Sequence, residues 1–245
     1  MTGAGLEAVF ADGAGELVQQ PWGHAADQVR LEELGPVSPF PALPGKRWGP
    51  GWWWSATTGR HVAHGSAAMR DQLMLLDRDP AVVGLASRPV QLVWRDEQEQ
   101  VRSWVPQLFA RYADGSALLA DCPVSAGAGG VRARQAEAVL MDACAQVGWS
   151  YRRLETPYRK VAANVRWLAG YRHPRHRGGE GVQAAVRDAF VRPRPLMEGV
   201  RAVGDPLAVL PCVFHALWAG RLSVPLSAPL HERSRVRLAV GRGQR

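Results

Sequence analysis

RSWVPQLFARYADGSALLAD, residues 102–121, is two apolar runs on either side of the turn residues Ala113-Asp114-Gly115. That pattern predicts strands over Arg102–Tyr112 and Ser116–Asp121 joined by a tight turn. Upstream, Val82–Trp94 is rich in Val and Leu and is interrupted at Arg88-Pro89, as two short strands or one bent strand would be. Asp96–Gln100 is a polar turn. Before these, Ser66–Asp77 carries Met69, Leu73 and Leu76 at helical spacing, and Asp79-Pro80 breaks it. Downstream, Ser125–Gly130 is a glycine-alanine loop. Val131–Val147 follows as an amphipathic helix with Ala136, Val139, Leu140 and Ala143 on its inner face, and Gly148 stands where a helix would end. Trp149–Leu154 completes the series as a short strand. Helix, three or four strands, helix, strand is the order of an α/β fold, a mixed sheet flanked by helices.

The ends of the chain differ from this core. Residues 1–35 show no steady period and are expected to be only partly ordered. Pro36–Trp54 holds five prolines and four tryptophans. Proline at that density opposes helix and central strand, which predicts an extended segment lying across another surface. Trp52, Trp53 and Trp54 alternate in direction on an extended chain, so packing against the core is favoured over stacking on bases. We therefore assign residues 1–58 to an N-terminal extension, 59–156 to the α/β core and 157–245 to a basic C-terminal domain. In that last domain Thr156-Pro157 is a helix start leading to about Ala169, with Val161, Val165 and Leu168 as its apolar stripe. Tyr171–Gly179 is a basic loop, Val182–Val191 a second helix, and Asp205-Pro206 opens a third that runs to Trp218. Leu222–Leu226 and Val236–Val240 read as two short strands. Three helices and a hairpin is the order of a winged helix, a fold that serves both DNA binding and protein contact.

Charge divides along the same line. The chain of 245 residues has a formal net charge of +8. Residues 1–130 hold 10 Lys/Arg against 14 Asp/Glu, and residues 131–245 hold 20 against 8. A basic half suggests an anionic partner, usually a nucleic-acid backbone; a solvated surface is the alternative. The run from Arg152 to Arg177 carries Arg152, Arg153, Arg159, Lys160, Arg166, Arg172, Arg175 and Arg177 against Glu155 alone. Tyr151, Tyr158, Trp167 and Tyr171 interleave with them. Arg159 and Arg166 are seven residues apart and share a helix face suited to phosphates. The predicted third helix has no Lys or Arg, which argues against base reading in a major groove.

Cys122, Cys144 and Cys212 are far apart and form no CxxC pair, so neither a disulfide framework nor a cysteine zinc site is expected. No apolar run reaches the roughly 20 residues of a membrane span, and no signal peptide is recognisable. A cytoplasmic, nucleoid-associated protein is the expectation. His61-x-x-His64 and His173-x-x-His176 fall in predicted loops and read as solvated histidines rather than zinc ligands. Ser66 and Ser125 have no evident base, and no Walker loop, GxGxxG or GxSxG occurs.

Several segments together carry a family resemblance: MRDQLMLLDRDP (69–80), VVGLASRP (82–89), WVPQLF (104–109), ADGSALLAD (113–121), GWSYRRLETPYRKVAANVRWLAGYR (148–172) and AVGDPLAVLPCVFHALWAGRL (202–222). They resemble TnsA-like endonuclease subunits of heteromeric transposases of the actinobacterial type, over about residues 59–240. The resemblance implies a restriction-endonuclease-like (PD-(D/E)xK) fold followed by a small winged-helix-like domain. It also implies a divalent metal and cleavage of duplex DNA at a transposon end beside a partner transposase. Catalysis in that family needs carboxylates on the first helix and a central strand, then an acidic or amide residue, one spacer and a basic residue. Mg²⁺ is a hard cation that takes oxygen ligands, polarises phosphate and lowers the pKa of the attacking water.

This sequence departs from that pattern. Gly65 and Met69 stand at the two helix acidic positions, Gln107 replaces the aspartate of the Pro-Asp-Phe-Phe motif, and Pro123 replaces the basic residue. Only Asp121 keeps its carboxylate. Asp71 and Asp114 are in the wrong places to substitute. The reading is therefore a catalytically degenerate subunit with no metal or other cofactor, binding duplex DNA through its backbone and a partner transposase or other subunit, or a second copy of itself. Two alternatives stand beside it: an active Mg²⁺-dependent nuclease with rearranged ligands, and a protein-interaction scaffold without DNA contact.

Overall fold

A computed structural model describes residues 5–40, 49–123 and 130–239. The chain divides into two compact units, the first comprising residues 1–77 and 81–156 and the second residues 78–80 and 157–245.

The first unit opens with a hairpin, β1 (Glu7–Ala11) and β2 (Leu17–Pro21), then helix α1 (Trp22–Gln28) and a single 3-10 turn at Leu31–Glu33. A second hairpin follows, β3 (Gly51–Trp54) with β4 (His61–His64), and then helix α2 (Ala67–Arg78). Strands β5 (Val82–Ser87), β6 (Gln91–Arg95), β7 (Val101–Trp104), β8 (Leu108–Tyr112) and β9 (Ala117–Asp121) lead to helix α3 (Gly130–Gln146) and strand β10 (Ser150–Arg153). Two four-stranded sheets result. One has the order β10-β9-β8-β5, antiparallel except for the parallel pair β9/β10 that α3 connects. The other has the order β2-β1-β6-β7 and is wholly antiparallel.

The mixed sheet and the crossover helix agree with the sequence reading. The strand pattern departs from it in one instructive way. Arg102–Tyr112, expected as one strand, is two strands in different sheets. Val105-Pro106-Gln107 separates them, and Pro106 has no N–H to give a ladder. The interruption at Arg88-Pro89 likewise sends β5 and β6 into different sheets.

Residues 5–40, expected as a partly ordered extension, are integral to this unit. β1 pairs with β6, and Phe10, Trp22 and Leu31 are buried in the same core as Phe109, Leu119 and Leu140. Trp22 explains the docking: its Nε1–H donates to the Ala143 carbonyl at 2.7 Å, near the end of α3 where no helical donor remains. Its ring meets Trp149 edge-on with centroids 5.4 Å apart. The segment rich in Pro and Trp also forms regular structure at its end, since Gly51–Trp54 pairs with His61–His64. The expected alternation holds there, with Trp53 buried and Trp52 exposed. Residues 41–48 lie outside the described residues.

The buried Asp77 carboxylate fixes this hairpin. It accepts hydrogen bonds from Trp53 Nε1, Ser55 Oγ and the Ala56 and Thr57 amides. The Ser66 hydroxyl caps α2 by accepting from the Met69 amide at 3.1 Å.

The second unit holds α4 (Arg159–Ala169), a 3-10 turn at Pro174–His176, α5 (Glu180–Ala189), β11 (Arg194–Pro195), α6 (Leu196–Val203), α7 (Pro206–Trp218), β12 (Leu222–Ser223) and β13 (Arg235–Leu238). The three strands form one antiparallel sheet in the order β11-β13-β12. α4 begins two residues later than Pro157, and its cap position is Tyr158, without a side-chain cap bond. The opening of α7 matches its sequence signal, Asp205 accepting from the Leu207 amide with Pro206 at the first helical position. α6 was not foreseen. It lies between Pro195 and Gly204 with Gly199 inside it, a composition that reads as loop, yet Leu196 and Val200 are buried one turn apart.

Candidate functional site

A buried polar cluster in the first unit lies at the end of β9, around Asp121. Its carboxylate is buried, 8% exposed. Oδ2 accepts from the Trp104 indole N–H at 2.7 Å and from the Tyr151 hydroxyl at 2.6 Å, and Oδ1 accepts from the Gln107 amide at 3.1 Å. These partners come from β7, β10 and the segment before β8, so the three elements converge on this one acid. Burial raises the carboxyl's pKa above its ordinary value, and the Tyr151, Trp104 and Gln107 bonds oppose that shift. The Tyr151 hydroxyl is pushed up by burial and by the Asp121 charge. The Cys122 thiol beside them is raised to about 12, first by burial and then by Asp121, so it is a protonated, unreactive thiol at neutral pH.

Gln107 does not aim its amide at a cation. Its side-chain oxygen accepts from the Cys122 amide at 2.8 Å, which ties the segment before β8 to the end of β9. Pro123 follows without charge or donor.

The helix side of the site is filled. Met69 is fully buried, and its sulfur accepts from the Gly65 amide at 3.4 Å. A Cβ on Gly65 would lie 2.3 Å from the Phe40 ring, so the aromatic edge occupies the space a longer side chain at that position needs. The same ring is covered by the Arg88 guanidinium, 5.0 Å from its centroid. Arg88 donates to Ser38 Oγ, its Nε–H is buried without a partner, and its amide donates to the Gln107 carbonyl. Its φ of +50° puts a bulky residue in the left-handed region, a strained conformation of the kind that accumulates at specialised sites. Burial lowers its pKa while the charge of Asp121 raises it, so the two groups feel one another. The charge of Arg153 also favours the ionised form of Asp121, so arginine cations supply positive charge around this acid.

A divalent metal does not fit this donor set. Both oxygens of Asp121 are already held by protein donors, Gly65 and Met69 offer no oxygen ligand, and a guanidinium stands near the one acid. Asp71 is buried and paired with Arg70 at 3.5 Å. Asp114 sits on the exposed β8–β9 turn, accepting from the Ser116 amide and hydroxyl. Among the described residues no group of three or more His, Cys, Asp or Glu gathers to hold a metal ion.

Sequence reasoning found Asp121, Gly65, Met69, Gln107 and Pro123 but not Arg88, Phe40, Ser38 or Trp104. A residue before proline is biased to extended backbone, so the left-handed turn at Arg88 had no local signal. Tyr151, which the sequence places among the aromatics of the basic run, belongs to the Asp121 cluster.

That basic run is split between the two units. In the first, β10 carries Arg152 exposed and Arg153 paired with Glu137 at 3.4 Å. In the second, Arg159, Lys160 and Arg166 are exposed along α4 while Val165 and Leu168 are buried, as the periodicity predicts. Arg172 donates to the Ala169 carbonyl at 2.7 Å and so closes the end of α4. Arg175 is exposed and donates to His176, and Arg177 donates to Gln183.

Two histidine expectations change. His61 and His64 lie on strand β4, not in a loop, where an i, i+3 pair points to opposite faces. His173 caps the 3-10 turn by accepting from the Arg175 amide at 3.2 Å. Ser125 lies outside the described residues. On α7 Leu207 is exposed, and the half-buried Phe214 packs against Trp167 and Tyr171 at centroid distances of 6.1 and 4.8 Å. No helix among the described residues is long and apolar enough to cross a membrane. No protein-family model and no curated protein matches the chain.

Proposed function

We propose that this protein is a catalytically silent relative of TnsA-like transposase endonuclease subunits, which binds duplex DNA through its second unit and acts beside a partner transposase or other subunit. One observation carries the reading. The positions at which such a nuclease would gather acids around a cation hold a buried thioether, a glycine pressed by Phe40, an amide turned to the backbone, and one aspartate satisfied by three protein donors. The order α2, β5, β8, β9, α3, β10 supports a restriction-endonuclease-like core. The helices α5, α6 and α7 followed by the β12–β13 hairpin support a winged-helix-like second unit, with α4 as an additional helix.

DNA contact rests on charge. The exposed Arg159, Lys160 and Arg166 of α4 form a cationic face suited to phosphates. α7, in the place of a third helix, is apolar and offers nothing to read base edges. Binding is therefore expected to be electrostatic and weakly selective for sequence.

The test is fluorescence anisotropy of a labelled duplex over a salt series, with gel analysis of the same samples in Mg²⁺ and Mn²⁺. The reading predicts retention at low salt that falls steeply as salt rises, uncut DNA throughout, and at least about tenfold weaker binding for the double variant Arg159→Glu, Lys160→Glu. Absence of retention at low salt would favour the scaffold alternative, and cleavage abolished by Asp121→Ala would favour the active nuclease.

A further inference from the structure

A second polar site lies wholly within the second unit, apart from α4. A pocket of about 420 Å³ opens among α5, α7 and the strands that follow α7. That volume is in the range of small-molecule sites. Its wall carries three arginines, Arg177, Arg187 and Arg221, and no carboxylate.

Two of these arginines are drawn to a single neutral acceptor. Gln183 Oε1 accepts from Arg177 Nε at 2.9 Å and from Arg221 Nη1 at 2.9 Å. The Gln183 amide is fixed in that sense because its Nε2–H donates to the Gly178 carbonyl at 3.0 Å. Two guanidinium groups thus converge with one carbonyl dipole between them, an arrangement of like charges that costs free energy until an anion arrives. Arg221 registers the strain, its pKa lowered first by burial and then by the charge of Arg177. Arg187 has an acidic neighbour, Asp188, at 3.8 Å, but both side chains are exposed to solvent and the pair is weak.

The rest of the wall is mixed: His215 and Cys212 line it beside the apolar Val186, Ala216, Leu222 and Leu238. Val186 and Leu222 are buried beneath the arginines. Guanidinium forks match phosphate oxygens two at a time, and the apolar part of the wall suits a body attached to the anion rather than a bare ion.

We propose that this pocket binds a phosphate monoester, its phosphate held by Arg177 and Arg221 and its organic body lying against Val186 and Leu222. The same chemistry is offered by a small phosphorylated molecule and by a 5′-phosphorylated end of a DNA strand. The inference does not depend on the backbone contacts proposed for α4.

The probe is phenyl phosphate, titrated calorimetrically into the intact protein. Saturable binding is expected, tighter than for inorganic phosphate, weakened about tenfold or more by Arg221→Gln and lost in Gln183→Glu, where an internal carboxylate takes the anion's place. Far-UV circular dichroism of both variants shows whether the fold is kept, and Arg177→Gln replaces any variant that is unfolded. Competition with short oligonucleotides then separates the sources. Displacement by a 5′-phosphorylated strand but not by its 5′-hydroxyl counterpart assigns the site to strand ends, and displacement by neither assigns it to small molecules. Equal displacement by both would show that diesters occupy the pocket and overturn the proposal. Absence of saturable binding, or binding indifferent to the arginine variants, would overturn it as well.

Discussion

Asp121 holds its position because three donors repay part of the cost of burying a charge. That arrangement makes its energetics depend on pH in a defined direction. Its pKa in the folded chain is raised above the unfolded value, so its contribution to stability is full below about pH 3.9 and is lost as the pH rises through the folded-state pKa. Removing a donor acts mainly on the ionised form. Tyr151→Phe is expected to cost about 1.5–3 kcal/mol at neutral pH, with the deficit shrinking in acid as the carboxyl is protonated. Urea unfolding of the variant and the parent across that range checks it, and a deficit independent of pH would mean that the carboxyl stays neutral throughout. Arg88 belongs to the same small cluster. Its left-handed backbone, its buried Nε–H and its place over Phe40 give the site a permanent cation, so positive charge there is supplied by the chain itself.

Elements whose periodicity was unbroken were legible in the sequence: α2, α3, β9, β10 and α7 all appear close to where spacing and capping put them. The failures have physical causes. Proline and glycine obscured α6, which exists because tertiary packing outweighs weak propensity. The N-terminal strand β1 gains its place from pairing with β6, a partner more than eighty residues away. For the site, Asp121, Gly65, Met69, Gln107 and Pro123 could be named from sequence, but what packs against them could not. Phe40 and Arg88 come from distant segments, and their convergence depends on the fold. α6 provides a direct test of packing over propensity. A Cβ on Gly199 would come within 2.3 Å of the fully buried Phe190 ring. Gly199→Ala is therefore expected to lower stability by a net amount of about 1–2 kcal/mol, the crowding exceeding the gain in helix propensity. Thermal denaturation measures this, and a stabilised variant would show that Phe190 yields.

Across the whole molecule, acidic and basic character separate along the chain much as the two units do, and the two candidate sites have opposite relations to charge. In the first unit one acid is enclosed by donors and a cation. In the second, cations are exposed on α4 and gathered around the Gln183 pocket. A nuclease needs the reverse of the first arrangement, several anionic oxygens left open to a metal and a scissile phosphate. The proposed reading requires that the cluster around Asp121 take no divalent cation. Titration of the intact protein with Mn²⁺, followed by electron paramagnetic resonance of the unbound ion, measures this. No saturable site is expected, with identical curves for the parent and Asp121→Ala; a single saturable site that disappears in Asp121→Ala would overturn the proposed reading.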